Sequence, residues 1–225
     1  MKARLSLPEF VENKKVIIVG PGSTVKDDCK DLNVDGFDLI CRLNKHWRLQ
    51  KGDHAVLGHR TDILYHCMNQ NQYCRKDVQF WKANDYRVVS RVDIDKLKSH
   101  AKSRHFRQLN VGINLPLDLV PNTFFNKCKA DLGCNPSTGI LTILHLLSMP
   151  VESVTVVGFD FYQSLYLYRT DEKWREVIHR MDHDPKKQAI TFKKVIAENP
   201  TMSERFIPVG ALKTVMDGID LTQED

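Results

Sequence analysis

The chain has 225 residues, of which 42% are hydrophobic and 27% charged, and a formal net charge of +5. That is the profile of one soluble globular domain with a sizeable core, and the mild basic excess favours anionic partners without naming one. No apolar run approaches the ~20 residues of a membrane span, and the start MKARLSLPEFVENKK has no apolar signal core, so the chain reads as cytoplasmic. The six cysteines (Cys29, Cys41, Cys67, Cys74, Cys128, Cys134) include no Cys-x-x-Cys pair, which argues against a zinc ribbon and for reduced thiols.

The N-terminal stretch reads as a short leader into a first strand, Val16-Ile17-Ile18-Val19, which runs straight into Gly20-Pro21-Gly22-Ser23. A short β-branched run ending in glycines is a buried parallel strand feeding a tight turn, and Ser23 or Thr24 would cap the helix that follows. Further strands are expected at 37–41, holding Cys41, then at 62–66 and 86–90. Helices are expected over 93–101, 117–131 and 137–148. Val154-Thr155-Val156-Val157 is a buried strand ending at Gly158. Pro185 opens a helix over 185–198, and 206–209 adds a last short strand.

Strand and helix patterns alternate, so the expected fold is α/β: a single Rossmann-like domain over 1–225, mostly parallel, with helices on both faces. Ligands in such sheets sit beyond the carboxyl ends of the strands. That singles out the loops at 20–24, 42–47, 66–72 and 158–170. The irregular segment 159–184, rich in Tyr, Asp, Arg and His, has the length of a functional lid.

Several motifs carry chemistry. Gly20-Pro21-Gly22-Ser23 reads as a phosphate-binding turn or as an ordinary β-to-α turn; Val25 removes the third glycine of a dinucleotide fingerprint, and no Walker lysine is present. Asn44, ending the second strand in Arg42-Leu43-Asn44, offers a donor and an acceptor suited to a ribose or phosphate. Ser137, Thr138 and Gly139 open an apolar helix, either as caps alone or as caps with a nucleotide against them. Asp93-Ile94-Asp95 has the Asp-x-Asp form of metal-using nucleotide-sugar transferases, but it also suits a helix start. Seven basic residues between Lys96 and Arg107 form either a solvated helix face or an attractor for an acidic acceptor.

Taken in order, the stretch from Val16 to Asp62 resembles the large sialylmotif of the eukaryotic-type, family 29 sialyltransferases. It has a strand into Gly-x-Gly, then Phe37, Asp38, Arg42 and Asn44, then Gly58, Arg60 and Thr61. Residues 136–141, continuing to Val154–Phe159, resemble the small sialylmotif. Gly158-Phe159-Asp160-Phe161-Tyr162-Gln163 is also similar to the Campylobacter-type sialyltransferases of family 42.

The resemblance implies an inverting glycosyltransferase that moves sialic acid, or a related sugar acid such as Kdo, from a CMP donor to a hydroxyl of a glycan or glycolipid. It implies no metal cofactor and no nucleic-acid partner. By the same resemblance, Gly20, Gly22, Ser23 and Asn44 hold phosphate and ribose, and Ser137, Thr138, Gly139 and Phe159 line the nucleotide. Tyr162 and Tyr168 bond the departing phosphate, and His183 is the catalytic base, with His179 its nearest competitor. Pro21 stands where these families carry asparagine, Gln188 where the very small sialylmotif has glutamate, and the histidine-tyrosine third motif is not visible. A metal-dependent transferase using Asp93 and Asp95, or a non-catalytic nucleotide-binding module, are the alternatives.

Overall fold

The computed structural model describes residues 4–69, 73–91, 97–167 and 184–221. Seven strands form one sheet: β1 (Lys15–Val19), β2 (Leu39–Leu43), β3 (Ile63–Tyr65), β4 (Arg87–Ser90), β5 (Leu117–Leu119), β6 (Ser153–Val157) and β7 (Phe206–Pro208). All pair in parallel, in the order β5-β4-β3-β2-β1-β6-β7. The chain steps outward from β1 to β5 and then returns to lay β6 against the other side of β1. The carboxyl ends of β1 and β6 therefore flank the topological switch point, where open α/β sheets leave a crevice for ligands.

The helices are α1 (Leu7–Val11), α2 (Val25–Cys29), α3 (His54–Leu57), α4 (Arg75–Ala83), α5 (Leu97–Asn110), α6 (Asn122–Leu132), α7 (Thr138–Leu147), α8 (Pro185–Ala197), α9 (Pro200–Arg205) and α10 (Ala211–Gly218). Alternate strand residues feed opposite layers. Val16 and Ile18 of β1 join the core built by α1, α6, α7 and α8. Ile17 and Val19 face Val25, Cys29 and Leu57 of α2 and α3. On that second side, Leu64 and Val88 pack with Val78 and Trp81 of α4 and Phe106 of α5. Helices cover both faces, as the alternation of elements implied.

Several boundaries differ from expectation. The leader is a capped helix: Ser6 Oγ accepts from the Glu9 amide and the Glu9 carboxylate accepts from the Ser6 amide, a reciprocal capping box. Residues 117–119, expected as the start of a helix, form edge strand β5, and α6 begins only after Pro121. The helix expected over 93–101 runs instead from Leu97 to Asn110, with 92–96 outside the described residues. Phe37 and Asp38 precede β2; Asp38 Oδ2 accepts from the Lys15 amide at 2.8 Å, tying the entrances of β1 and β2 together.

Candidate active site

The turn after β1 and the turn after β6 are locked into each other. The Gly20 amide donates to Val157 O at 2.8 Å and the Gly22 amide to Gly158 O at 2.9 Å. Gly158 has φ +70, and a Cβ there would meet Val25 Cβ at 2.7 Å and Gly20 O at 2.8 Å. The next ring, Phe159, is wedged between two glycines. A Cβ on Gly20 would lie 2.5 Å from Phe159 Cδ2, and a Cβ on Gly139 would lie 3.2 Å from Phe159 Cζ, both tighter than ordinary carbon contacts. Gly20 and Gly139 are thus the two walls of a slot for one aromatic ring.

The segment after Phe159 folds back over the glycine turn. Asp160 is buried, and its Oδ2 accepts from the Ser164 amide at 2.7 Å. Phe161 and Tyr162 both take left-handed φ values, 53 and 65, which non-glycine residues adopt rarely and at a cost. Phe161 anchors the reversal by packing on Phe192 of α8, with ring centroids 5.9 Å apart. The chain then pairs antiparallel with the turn: the Ser23 amide donates to Leu165 O and the Leu167 amide to Pro21 O, each at 2.8 Å. The amides of Gly20, Gly22 and Ser23 are therefore all engaged within the protein.

Free donors appear instead at α7. Ser137, extended at φ -63 and ψ 160, caps the helix by accepting from the Ile140 amide at 3.3 Å. The amides of Thr138 and Gly139 have no partner among the described residues. They form the positive end of a ten-residue helix, suited to an anion. Tyr162 reaches the same point. Burial raises its pKa, opposed by side-chain hydrogen bonds with Ser137 and Tyr166. Ser137, Thr138, Gly139, Phe159 and Tyr162, singled out from sequence, are thus brought together at the switch point.

Asn44 directly follows β2, at φ 48, with Oδ1 accepting from the Cys67 amide at 2.9 Å. Its side-chain nitrogen has no partner among the described residues. Arg42 is only 1% exposed and serves the scaffold: it donates to Thr61 Oγ1 at 3.1 Å and to the carbonyls of Leu57 and Gly58. Asp28 braces the other side, with Oδ2 accepting from the Gly158 amide at 2.9 Å and Oδ1 from the Ala211 amide at 3.1 Å.

Tyr168, His179 and His183 lie outside the described residues, as do Asp93 and Asp95. The helix that follows His183 is placed. Asp184 caps α8 by accepting from the Lys187 amide at 3.0 Å. Gln188, fully buried, donates from Nε2 to Asn135 O at 2.9 Å and so fastens the first turn of α8 to the loop entering α7. Two residues absent from the sequence reading also stand here. Tyr166 bridges to Gly22 and bonds Tyr162, and His46 meets the Tyr166 ring edge-on. Their signal was position alone: His46 is two residues past Asn44, and Tyr166 is in the tyrosine-rich segment.

Among known structures, the chain superposes on a mammalian sialyltransferase with a TM-score of 0.60, at 14% identity, over 89% of this chain and 70% of that one. It superposes on the sialyltransferase CstII from Campylobacter jejuni, in complex with the substrate analogue CMP-3FNeuAc, with a TM-score of 0.56 at 15% identity, over 88% of each chain. This is the sialyltransferase fold. The monofunctional alpha-2,3-sialyltransferase Cst-I of Campylobacter jejuni matches with a TM-score of 0.53 at 14% identity, over 94% of this chain and 85% of that one. No family model and no curated protein matches the sequence. Among the described residues no helix is long and apolar enough to cross a membrane, and no three His, Cys, Asp or Glu side chains gather as a metal site.

Proposed function

We propose that this chain is a CMP-dependent glycosyltransferase that moves a sialic acid, or a related sugar acid, to a hydroxyl of a glycan or glycolipid with inversion. The observation that carries this reading is the convergence of the α7 N-terminus, Ser137 and Tyr162 at the switch point, in a fold shared with a sialyltransferase solved with CMP-3FNeuAc.

The chemistry needs a proton acceptor, stabilisation of the departing phosphate and exclusion of water. The phosphate is met by the Thr138 and Gly139 amides and the Tyr162 hydroxyl, fixed donors aimed where charge develops. The glycine turn contributes shape rather than amides, since its own amides are spent on Val157, Gly158 and Leu165. Asn44, directly after β2, has a side-chain nitrogen without a partner among the described residues and bonds the ribose. Segment 161–167 covers the turn and helps exclude water. His183, one residue before the Asp184 cap of a helix docked beside Asn135, takes the acceptor proton when neutral. The charge on the phosphate is handled by amides and hydroxyls, so no metal is required.

A thermal-shift panel tests the reading. CMP and CDP stabilise the chain, and UMP, GDP and NAD do not. Equal stabilisation by uridine nucleotides defeats it and favours the Asp93 and Asp95 alternative. Tyr162→Phe removes one donor while keeping the ring, and lowers turnover by about 3 kcal/mol of transition-state stabilisation; unchanged turnover places the phosphate elsewhere.

A further inference from the structure

His46 has no part in the chemistry above, yet it stands at the end of a line of contacts that crosses the site. It occupies the 3-10 turn Asn44–Trp47 at the carboxyl end of β2. Its ring meets Tyr166 edge-on, with centroids 6.4 Å apart and planes at 70°. Tyr166 is held by its backbone bridge to Gly22, and its side chain bonds Tyr162, which bonds Ser137. Ser137 caps α7. The line His46–Tyr166–Tyr162–Ser137 therefore spans from β2, over the turn after β1, to the helix that presents the free amides.

Tyr166 is half-buried, and a ring so placed samples several rotamers unless its neighbours restrict it. An edge-to-face neighbour favours one orientation of the ring, and such pairs add modestly but measurably to area burial. We propose that His46 is a positioning residue: it fixes the Tyr166 ring so that its side chain holds the Tyr162 hydroxyl on the α7 N-terminus. This rests on the reading of that helix end as the phosphate site. Burial, with Arg42 adding to it, pushes the His46 imidazole down to about 4, so it packs as a neutral ring at working pH. A neutral aromatic of similar size therefore replaces it in this role, whereas a small side chain does not.

The test is a double-mutant cycle on CMP affinity, measured by calorimetry, with melting temperature recorded for every variant. His46→Ala and Tyr166→Phe each weaken CMP binding, about 5- to 10-fold. In the Tyr166→Phe background His46→Ala has little further effect, because the group it positions is already gone. His46→Phe restores affinity to within about two-fold of the parent. The same weakening in both backgrounds, or no recovery with His46→Phe, overturns the proposal, because a merely structural histidine lowers stability without this dependence on the Tyr166 hydroxyl. NMR of the tyrosine rings, assigned through Tyr162→Phe and Tyr166→Phe, separates this from the function itself. If the parent does not bind CMP but both ring signals move in His46→Ala and return in His46→Phe, the nucleotide reading fails and the positioning contact stands. If the ring signals do not move, His46 does not hold Tyr166 and the inference falls.

Discussion

Placing alanine at Gly139 tests whether the glycines of the site are there for a ligand or for Phe159. The new Cβ would sit under 3.0 Å from Phe159 Cε1, 3.2 Å from Cζ and 3.3 Å from Cδ1, against about 3.5–4.0 Å for relaxed carbon contacts. The ring cannot retreat, because a Cβ-sized gap does not exist on its other side: even a hydrogen-only Gly20 leaves room for nothing at 2.5 Å from Cδ2. Overpacking of this kind costs about 1–3 kcal/mol. The helical preference of alanine over glycine returns at most about 1 kcal/mol. Gly139→Ala should therefore lose about 1–2 kcal/mol in urea unfolding and weaken CMP binding roughly ten-fold as the Thr138 and Gly139 amides shift. In a Phe159→Ala background the Gly139→Ala penalty should vanish. Gly20→Ala should not be rescued there, because its Cβ also runs into the Gly158 carbonyl, which is backbone. A Gly139→Ala protein as stable as the parent, or a penalty that persists without the Phe159 ring, refutes the slot.

Three further outcomes follow from the same structure. His66 and His145 are buried, and burial lowers their pKa to about 3 and about 4; the unfolded chain binds these protons first, so stability is full above about pH 6.5 and falls as pH drops toward 4, by up to about 1.4 kcal/mol per unit for each. Urea midpoints that are flat between pH 6.5 and 5, above the carboxylate range, contradict this. Asp28→Ala removes the acceptor of the part-buried Gly158 and Ala211 amides and should lower stability by about 1–3 kcal/mol in urea unfolding; a neutral result means water replaces the carboxylate. Sugar transfer should survive excess EDTA, and a loss restored by manganese would show that a metal carries the phosphate charge.

The strands at β1, β2, β3, β4, β6 and β7 were legible because each is a short β-branched or aliphatic run ending at a glycine or polar turn. β5 was not: Leu117-Asp118-Leu119 is three residues at the sheet edge, too short to show a period, and its leucines fit a helix as well. α1 hid behind its own cap, since Ser6, Pro8 and Glu9 mark a helix start but only five residues follow. At the site, the residues clustered at Ser137–Gly139 and Phe159–Tyr162 were legible as motifs, but the reason for the glycines was not. Gly20, Gly139 and Gly158 answer to one another and to Phe159 across more than a hundred residues, and no local pattern encodes that. His46 and Tyr166 escaped for the same reason: their pairing exists only once 159–167 folds back across the turn at Pro21.

The central claim is chemical, and it is tested most directly by release of CMP from a CMP-linked sialic acid, read on the parent and on His183→Ala with His179→Ala as control. The parent and His179→Ala should release CMP and glycosylate an acceptor. His183→Ala should lose transfer by the 10²–10⁴-fold that a general base contributes while binding CMP with nearly the parent affinity. A parent chain that neither binds CMP nor consumes the CMP sugar, or a His183→Ala chain that transfers at the parent rate, contradicts it.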